Sequence, residues 1–163
     1  MRIRNVKSGD RAALHALVRH VNIFEPHEIR VAEELIEERL AGSADYLIYI
    51  AEEEAEAEAA AVGTRLLGFV CHGHNPVTDA VHDIYWIVVE PSAQRRGVGR
   101  ALLSYAENRV REMAGRAIRI ETSGQPQYRA AEELYEACGY SRVAEIADFY
   151  KPGDAMRTYM KRV

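Results

Sequence analysis

VVEPSAQRRGVGRALL, Val88 to Leu103, runs from an apolar strand through a proline and a basic, glycine-containing turn into a helix. Two phosphate loops are tested against it first. A Walker A loop needs glycine, four residues, then Gly-Lys-Ser/Thr, which is absent. A dinucleotide fingerprint needs G-x-G-x-x-G/A directly after a strand, but Pro91 to Arg96 intervene and GVGRAL reaches Leu102 where the third small residue should stand. What remains is a helix N-terminus with unpaired N–H groups and the positive end of the helix dipole. Gly97 and Gly99 carry no Cβ to keep an anion from the backbone, and Arg95, Arg96 and Arg100 add positive charge to a chain of net charge -4. A pyrophosphate suits that arrangement. A lone Gly-x-Gly is also compatible with a plain turn bearing solvated arginines.

Outward from the loop, apolar periodicity places the other elements. DIYWIVVE is the strongest strand, and Pro91 ends its pairing for want of an N–H. Val98, Leu102, Ala106, Val110 and Met113 mark a helix that stops near Gly115. AIRIET reads as a strand, Arg129 to Cys138 as a helix closed by Gly139, and Val143 to Tyr150 and Arg157 to Val163 as strands flanking the KPGD turn. Before the loop, Ile3 and Val6 lie in a short extended piece and Ser8 is expected to cap a helix carrying Leu14, Leu17, Val18 and Val21. After Pro26, Ile29, Ala32, Ile36 and Leu40 share one face of a second helix, with Gly42 as its stop. YLIYIAEEE and RLLGFVCHG are strands, and the Glu/Ala-rich piece 52–61 between them is expected to be a charged hairpin loop without a function.

The order is β-α-α-β-β-β-α-β-α-β-β over 163 residues, which predicts one mixed α/β domain spanning 1–163, without internal repeat or linker. The acidic balance argues against nucleic acid as a partner, and no apolar run approaches the roughly 20 residues that span a bilayer. MRIRNVKSGD has no apolar core of a signal peptide, and two cysteines make no disulfide framework, so a cytoplasmic setting is expected.

Q-R-R-G-V-G, preceded by the apolar strand and V-x-P, resembles the acyl-coenzyme A loop of the GNAT N-acetyltransferase superfamily, Q/R-x-x-G-x-G/A. The element order is similar to that superfamily's from Ile3 to the C-terminus. The resemblance implies a twisted, mostly antiparallel sheet of about six or seven strands with about four helices. It implies acetyl-CoA as co-substrate, with Gln94 among the residues that bind it, its pyrophosphate held by the backbone amides of Arg95, Arg96, Gly97, Val98, Gly99 and Arg100, and its pantetheine arm paired with the edge of Ile87, Val88 and Val89. YRAAEELYEACGY, Tyr128 to Tyr140, is similar to the superfamily's N-x-x-A-x-x-x-Y-x-x-x-G-F/Y. The matching inner tyrosine, Tyr135, would protonate the departing thiolate. Tyr128 stands where many members carry an asparagine that contacts the coenzyme, so that contact is not carried over.

Two carboxylates are candidates for the base that frees the acceptor amine of its proton. Asp83, eleven residues before Gln94, has the spacing of the glutamate in the histone-acetyltransferase branch. Glu121, closing AIRIET, resembles the glutamate of the branch that acetylates ribosomal-protein N-termini. Either is also compatible with a structural carboxylate, and Glu121 is slightly preferred. Phe24, Glu25, Glu28 and Tyr85 are candidates for the acceptor wall, although packing and surface roles suit them equally.

Alternation puts His72 and His74 on the face opposite Cys71, and with His82 and Asp83 they lack diagnostic metal-ligand spacing. Solvated or hydrogen-bonded histidines and no metal are expected, and Cys138 reads as packing. The expectation is therefore direct attack of a small-molecule, peptide or protein amine on acetyl-CoA. The alternative is a non-catalytic acyl-CoA-binding sensor with the same fold. Homodimers are common in the superfamily, so the chain is compatible with one.

Overall fold

Alternating apolar residues form the strands and stripes at helical spacing form the helices that cover them. The computed structural model describes residues 1–53 and 65–163. Its strands are β1 (Arg2–Asn5), β2 (Leu47–Glu52), β3 (Leu66–His74), β4 (Val81–Val89), β5 (Ala117–Ser123), β6 (Ser141–Lys151) and β7 (Asp154–Arg162). Its helices are α1 (Arg11–His20), α2 (Pro26–Leu40), α3 (Val98–Glu112) and α4 (Arg129–Ala137). The chain order is the one read from the sequence. The strands form a seven-stranded sheet in the order β1-β2-β3-β4-β5-β7-β6. The described ladders are antiparallel except β4 with β5. Of the Glu/Ala-rich piece 52–61, Glu52 closes β2 and residues 54–61 lie outside the described residues. Among the described residues, no helix is long and apolar enough to cross a membrane.

By contact, the chain divides into two compact units, Met1–His72 with Trp86–Ala106, and Gly73–Tyr85 with Glu107–Val163. In the first, Leu14, Leu17 and Val18 of α1 and Ala32 and Ile36 of α2 pack with Ile48 and Ile50 of β2, Phe69 and Cys71 of β3 and Val88 of β4. Burying a side chain of this size contributes about 1.5–3 kcal/mol, so this apolar cluster, more than helix propensity, holds α1 and α2.

The start of α1 departs from expectation. Ser8 lies in a 3-10 turn, Ser8–Asp10, and does not cap the helix. The Asp10 carboxylate instead accepts the Lys7 N–H at 2.7 Å and receives Arg4 Nη1 and Nη2 at 2.8 and 2.9 Å. A carboxylate that gains an arginine as well as a backbone N–H outcompetes a serine hydroxyl with neither. Arg4 also donates to Glu52 at 2.9 Å, tying β1 to β2. At α2, Pro26 occupies the first turn and Glu28 reaches back to accept the Glu25 N–H at 2.7 Å. Gly42, at φ 103°, ends the helix as expected.

In the second unit, β5 pairs parallel to β4 from Val81↔Ala117 to Ile84↔Ile120, and antiparallel to β7 from Ala117↔Arg162 to Ser123↔Met156. The C-terminal end of β5 is fastened to the β6–β7 turn. Ser123 Oγ donates to Asp154 Oδ1 at 2.6 Å, and Gln125 Nε2 donates to the Gly153 carbonyl at 2.8 Å. Gly115 sits where an added Cβ would lie 2.3 Å from Val110 Cγ1 and 3.1 Å from His82 Cδ2, so only glycine permits this close packing.

Candidate functional site

In the first unit, β4 leads into the basic loop through a short clasp. The Glu90 N–H donates to the Leu67 carbonyl at 2.9 Å, and Pro91–Ala93 forms a 3-10 turn. The Glu90 carboxylate accepts the Ser92 N–H at 2.9 Å and Arg65 Nη2 at 3.0 Å. The Ser92 hydroxyl also donates to Glu90, and that bond is the first of the causes that hold Glu90 below the usual carboxylate range. Gln94 Nε2 then donates to the Val89 carbonyl at 3.2 Å, drawing the loop back onto the strand end.

Arg95 at φ 60° and Gly97 at φ 84° both take left-handed backbone, and Gly97 has nothing within 4 Å of where a Cβ would lie. Val98 is buried while Arg95, Arg96, Gly97 and Arg100 are exposed. The apolar anchor thus fixes the start of α3 and leaves the loop's backbone side open. The N–H groups at the start of α3 have no intrahelical acceptor. Open backbone, a helix N-terminus and three arginine side chains make a cradle that fits an anion.

Gly68, which sequence reasoning passed over, shapes the strand before that loop. A Cβ there would lie 2.5 Å from the Val88 carbonyl oxygen, 3.2 Å from Val89 Cα and 3.3 Å from Leu102 Cδ1. The end of β4 therefore presses on β3 where no side chain exists. A glycine inside the otherwise apolar RLLGFVCHG is the signal that marks such a close approach. Phe24, a candidate for the acceptor wall, packs edge-on against Trp86 at 4.8 Å. Glu28 is engaged in the α2 cap, and Glu25 is exposed.

The second unit holds Tyr135, Asp83 and Glu121. Tyr135 lies on α4 and is buried, with the Tyr159 ring at 5.6 Å and the Tyr140 ring at 6.4 Å. Burial, then the nearby Glu132 and Tyr159, push its phenol above the ordinary range, so it keeps its proton at neutral pH. Gly139, at φ 86°, turns the chain after α4, and the Tyr140 N–H returns to the Tyr135 carbonyl at 3.0 Å.

The two candidate bases share one cation. The register Asp83↔Arg119 sets the buried Asp83 beside Arg119, whose Nε and Nη2 donate to its two oxygens at 2.7 and 3.1 Å. Asn75 Nδ2 adds a third hydrogen bond at 2.8 Å. Arg119 Nη1 reaches Glu121 Oε1 at 3.0 Å, and that carboxylate is more exposed, at 36% against 10% for the Asp83 side chain. Arg119, which sequence reasoning did not single out, thus separates the pair into a committed carboxylate and a more accessible one. The hydrogen bond to Asp83 is the chief cause that raises the Arg119 pKa. Tyr85 is exposed in the same unit.

Of the histidines expected to be solvated or hydrogen-bonded, His72 and His82 are buried: His72 stacks on Tyr49 at 5.6 Å, and His82 lies 5.5 Å from His74. Burial, followed by His74, lowers the His82 pKa. His74 is exposed, its Nε2 3.4 Å from the Asp79 carbonyl oxygen. Cys71 is buried, which pushes its thiol up to about 12, while the half-buried Cys138 offers its carbonyl to Lys161 Nζ at 2.8 Å. Among the described residues, no group of three or more His, Cys, Asp or Glu is arranged to hold a metal ion.

Comparison with known proteins places these features in a family context. Residues 44–142 match the family model described as an acetyltransferase (GNAT) domain. Among curated proteins, none matches this chain in sequence. A solved structure from Desulfovibrio desulfuricans, assigned to the GNAT family of acetyltransferases, is 33% identical, with 99% of this chain and 98% of that chain covered and a TM-score of 0.89. An aminoglycoside 6'-N-acetyltransferase complexed with coenzyme A is 16% identical, with coverage of 99% and 97% and a TM-score of 0.75. The ribosomal-protein-S18-alanine N-acetyltransferase from Escherichia coli is 17% identical, with coverage of 99% and 93% and a TM-score of 0.74. At those two lower identities the likeness is one of fold.

Proposed function

The chain belongs to the GNAT acetyltransferase family, and on that premise we propose that it moves an acetyl group from acetyl-CoA to a primary amine by direct attack in a ternary complex. The observation that carries the reading is the loop after β4. Gln94 is tied back to Val89, Gly97 is left-handed with open space beside it, and α3 begins at the buried Val98.

In this reading the backbone N–H groups from Arg95 to Arg100 hold the coenzyme's pyrophosphate, with Gln94 beside them, and the edge of Ile87, Val88 and Val89 pairs with its pantetheine arm. When bound, the coenzyme supplies the acetyl thioester: a new N–C bond forms as the C–S bond breaks. Glu121 accepts the proton from the acceptor ammonium, because Asp83 is committed to Arg119 and Asn75. A backbone N–H of the Val88–Val89 region stabilises the oxyanion that develops on the thioester. Tyr135 is the proton donor to the departing thiolate, and its suppressed ionisation keeps it loaded.

A small molecule, as in the aminoglycoside enzyme, and a protein alanine, as in the ribosomal-protein enzyme, are both admissible acceptors. Two free cysteines accord with a cytoplasmic setting. The test is thiol release from acetyl-CoA across a panel of polyamines, aminoglycosides, amino acids and peptide N-termini. Release of one thiol per acetylated amine, with no acyl-cysteine detected by mass spectrometry, is expected. Calorimetric binding of coenzyme A without release on any amine would favour the sensor, and an acylated cysteine would overturn direct attack.

A further inference from the structure

Helix α4 carries Tyr135 but buries few side chains that could hold it. Among its nine residues, Arg129–Ala137, Tyr135 is the one buried side chain, where α1 buries Leu14, Leu17 and Val18. Isolated helices shorter than roughly 12 residues are marginal in water, so contacts outside α4 must fix where it lies. A phenol that protonates a leaving sulfur works only within hydrogen-bond reach of it, so the placement of α4 bears on the chemistry.

Those contacts come from β7. Alternation along the strand puts Arg157, Tyr159 and Lys161 on one face, and helical spacing puts Glu132, Tyr135 and Glu136 on one face of α4. Each of the three β7 residues takes hold of the helix. Arg157 Nη1 lies 3.0 Å from both carboxylate oxygens of Glu132. The Tyr159 hydroxyl donates to Glu132 Oε1 at 3.2 Å, lies 3.4 Å from Glu136 Oε1, and sets its ring 5.6 Å from the Tyr135 ring. Lys161 Nζ donates at 2.8 Å to the carbonyl of Cys138, the residue that caps the helix. Arg157 is itself held. Its Nε donates to Glu145 of β6 at 2.8 Å, and a Cβ on Gly124, between β5 and α4, would lie 3.3 Å from its Nε and Cζ. The Arg157 and Glu132 side chains are 25% and 12% exposed, so solvent screens their pairing less than that of a surface pair.

We infer that Arg157 and Glu132 are positioning residues for the proton donor: their ion pair fastens α4 to β7 and keeps the Tyr135 hydroxyl in place to protonate the departing thiolate. The inference rests on the reading of Tyr135 as that donor. Glu132 precedes Tyr135 by three residues, so a carboxylate pinned to β7 fixes the turn of helix from which the ring projects. Tyr159 carries the constraint across, since it touches Glu132 through its hydroxyl and Tyr135 through its ring. Arg157 and Glu132 act through Tyr135 and exchange no proton with the substrate.

The test is a double-variant cycle of Arg157→Met and Tyr135→Phe, read by thiol release from acetyl-CoA with the amine panel as acceptors. Thermal melts confirm that each variant is folded. Arg157→Met is expected to lower kcat by about 10–10²-fold and leave KM for acetyl-CoA within about twofold, because a displaced donor costs rate more than binding. In the Tyr135→Phe background the same change should alter kcat by less than about twofold, since no donor is left to position. Glu132→Gln, which keeps the shape and removes the charge, is expected to reproduce the loss. Amide hydrogen exchange, which needs no acceptor, should quicken in α4 and not in α3 for both Arg157→Met and Glu132→Gln. Losses in kcat that multiply in the double variant, a change confined to KM, or α4 exchange equal to that of the wild type would overturn the positioning role and leave Tyr135 as the donor. Equal rates for Tyr135→Phe and the wild type would overturn the donor assignment, and the positioning role with it.

Discussion

Arg119 binds Asp83 through two hydrogen bonds, at 2.7 and 3.1 Å, and reaches Glu121 through one, at 3.0 Å. The asymmetry separates the two candidate bases by what each oxygen already holds. Glu121→Gln is expected to lower kcat/KM by about 10²–10⁴ while leaving thermal stability nearly unchanged. Asp83→Asn is expected to act first on stability, costing about 1–3 kcal/mol, because it weakens a buried charge-assisted contact and turns an N–H₂ toward a guanidinium. Denaturant melts and initial rates on the two variants check this. A stable, inactive Asp83→Asn beside an active Glu121→Gln would reverse the assignment.

Tyr135 keeps its proton because burial opposes the phenolate. Tyr135→Phe is therefore expected to reduce kcat by about 10²–10⁴ with little change in KM for acetyl-CoA, since a proton donor acts in the transition state more than in binding. The wild-type rate should show no alkaline limb from this group over the ordinary assay range, because the shift is upward. Rates from neutral to alkaline pH, compared between wild type and variant, report both effects. Equal rates for the two proteins would remove Tyr135 from the chemistry.

Two glycines of the donor side are expected to fail differently. Gly97→Ala puts a Cβ on left-handed backbone, at a strain cost of about 1–2 kcal/mol, but in open space. Weaker coenzyme A binding is expected, with the fold intact. Gly68→Ala drives a methyl to 2.5 Å from the Val88 carbonyl oxygen, so backbone must move. A loss of about 1–3 kcal/mol of stability is expected together with weaker coenzyme binding. Calorimetric titration and thermal melts separate the two, and identical profiles for both variants would contradict the distinction.

How far these features were legible in sequence follows from the distance over which each is determined. The alternation of DIYWIVVE, the stripe Ile29, Ala32, Ile36 and Leu40, and the glycine turn before α3 are local patterns, and they place β4, α2 and the start of α3 correctly. Ser8 misled because capping was contested by Asp10, which wins through Arg4 six residues earlier in the chain. The Asp83–Arg119 bond spans 36 residues and exists through the parallel register of β4 and β5, which no local pattern encodes. The histidines of CHGH and VHD look polar on paper, yet strand packing buries His72 and His82. Val143 to Tyr150 reads as a strand, but what covers a strand is set by the fold, which leaves every residue of β6 exposed.

Stability toward acid should carry two separable contributions. The folded pKa of Asp10 is lowered, chiefly by the hydrogen bond from Arg4, and that of His82 is lowered, chiefly by burial. In both cases the unfolded chain binds the proton more tightly, so stability is present above the unfolded pKa and is lost as pH falls through the folded one. The His82 loss begins below the ordinary histidine value of 6.5, and the Asp10 loss below the ordinary carboxylate value of 3.8. Arg4→Met should therefore flatten the lower window, and leave the upper one unchanged. His82→Asn should flatten the upper window, whatever it costs in overall stability. Denaturant melts at steps from neutral to acid pH read both slopes. An unaltered slope near pH 6 in His82→Asn would show that the buried imidazole does not govern that window.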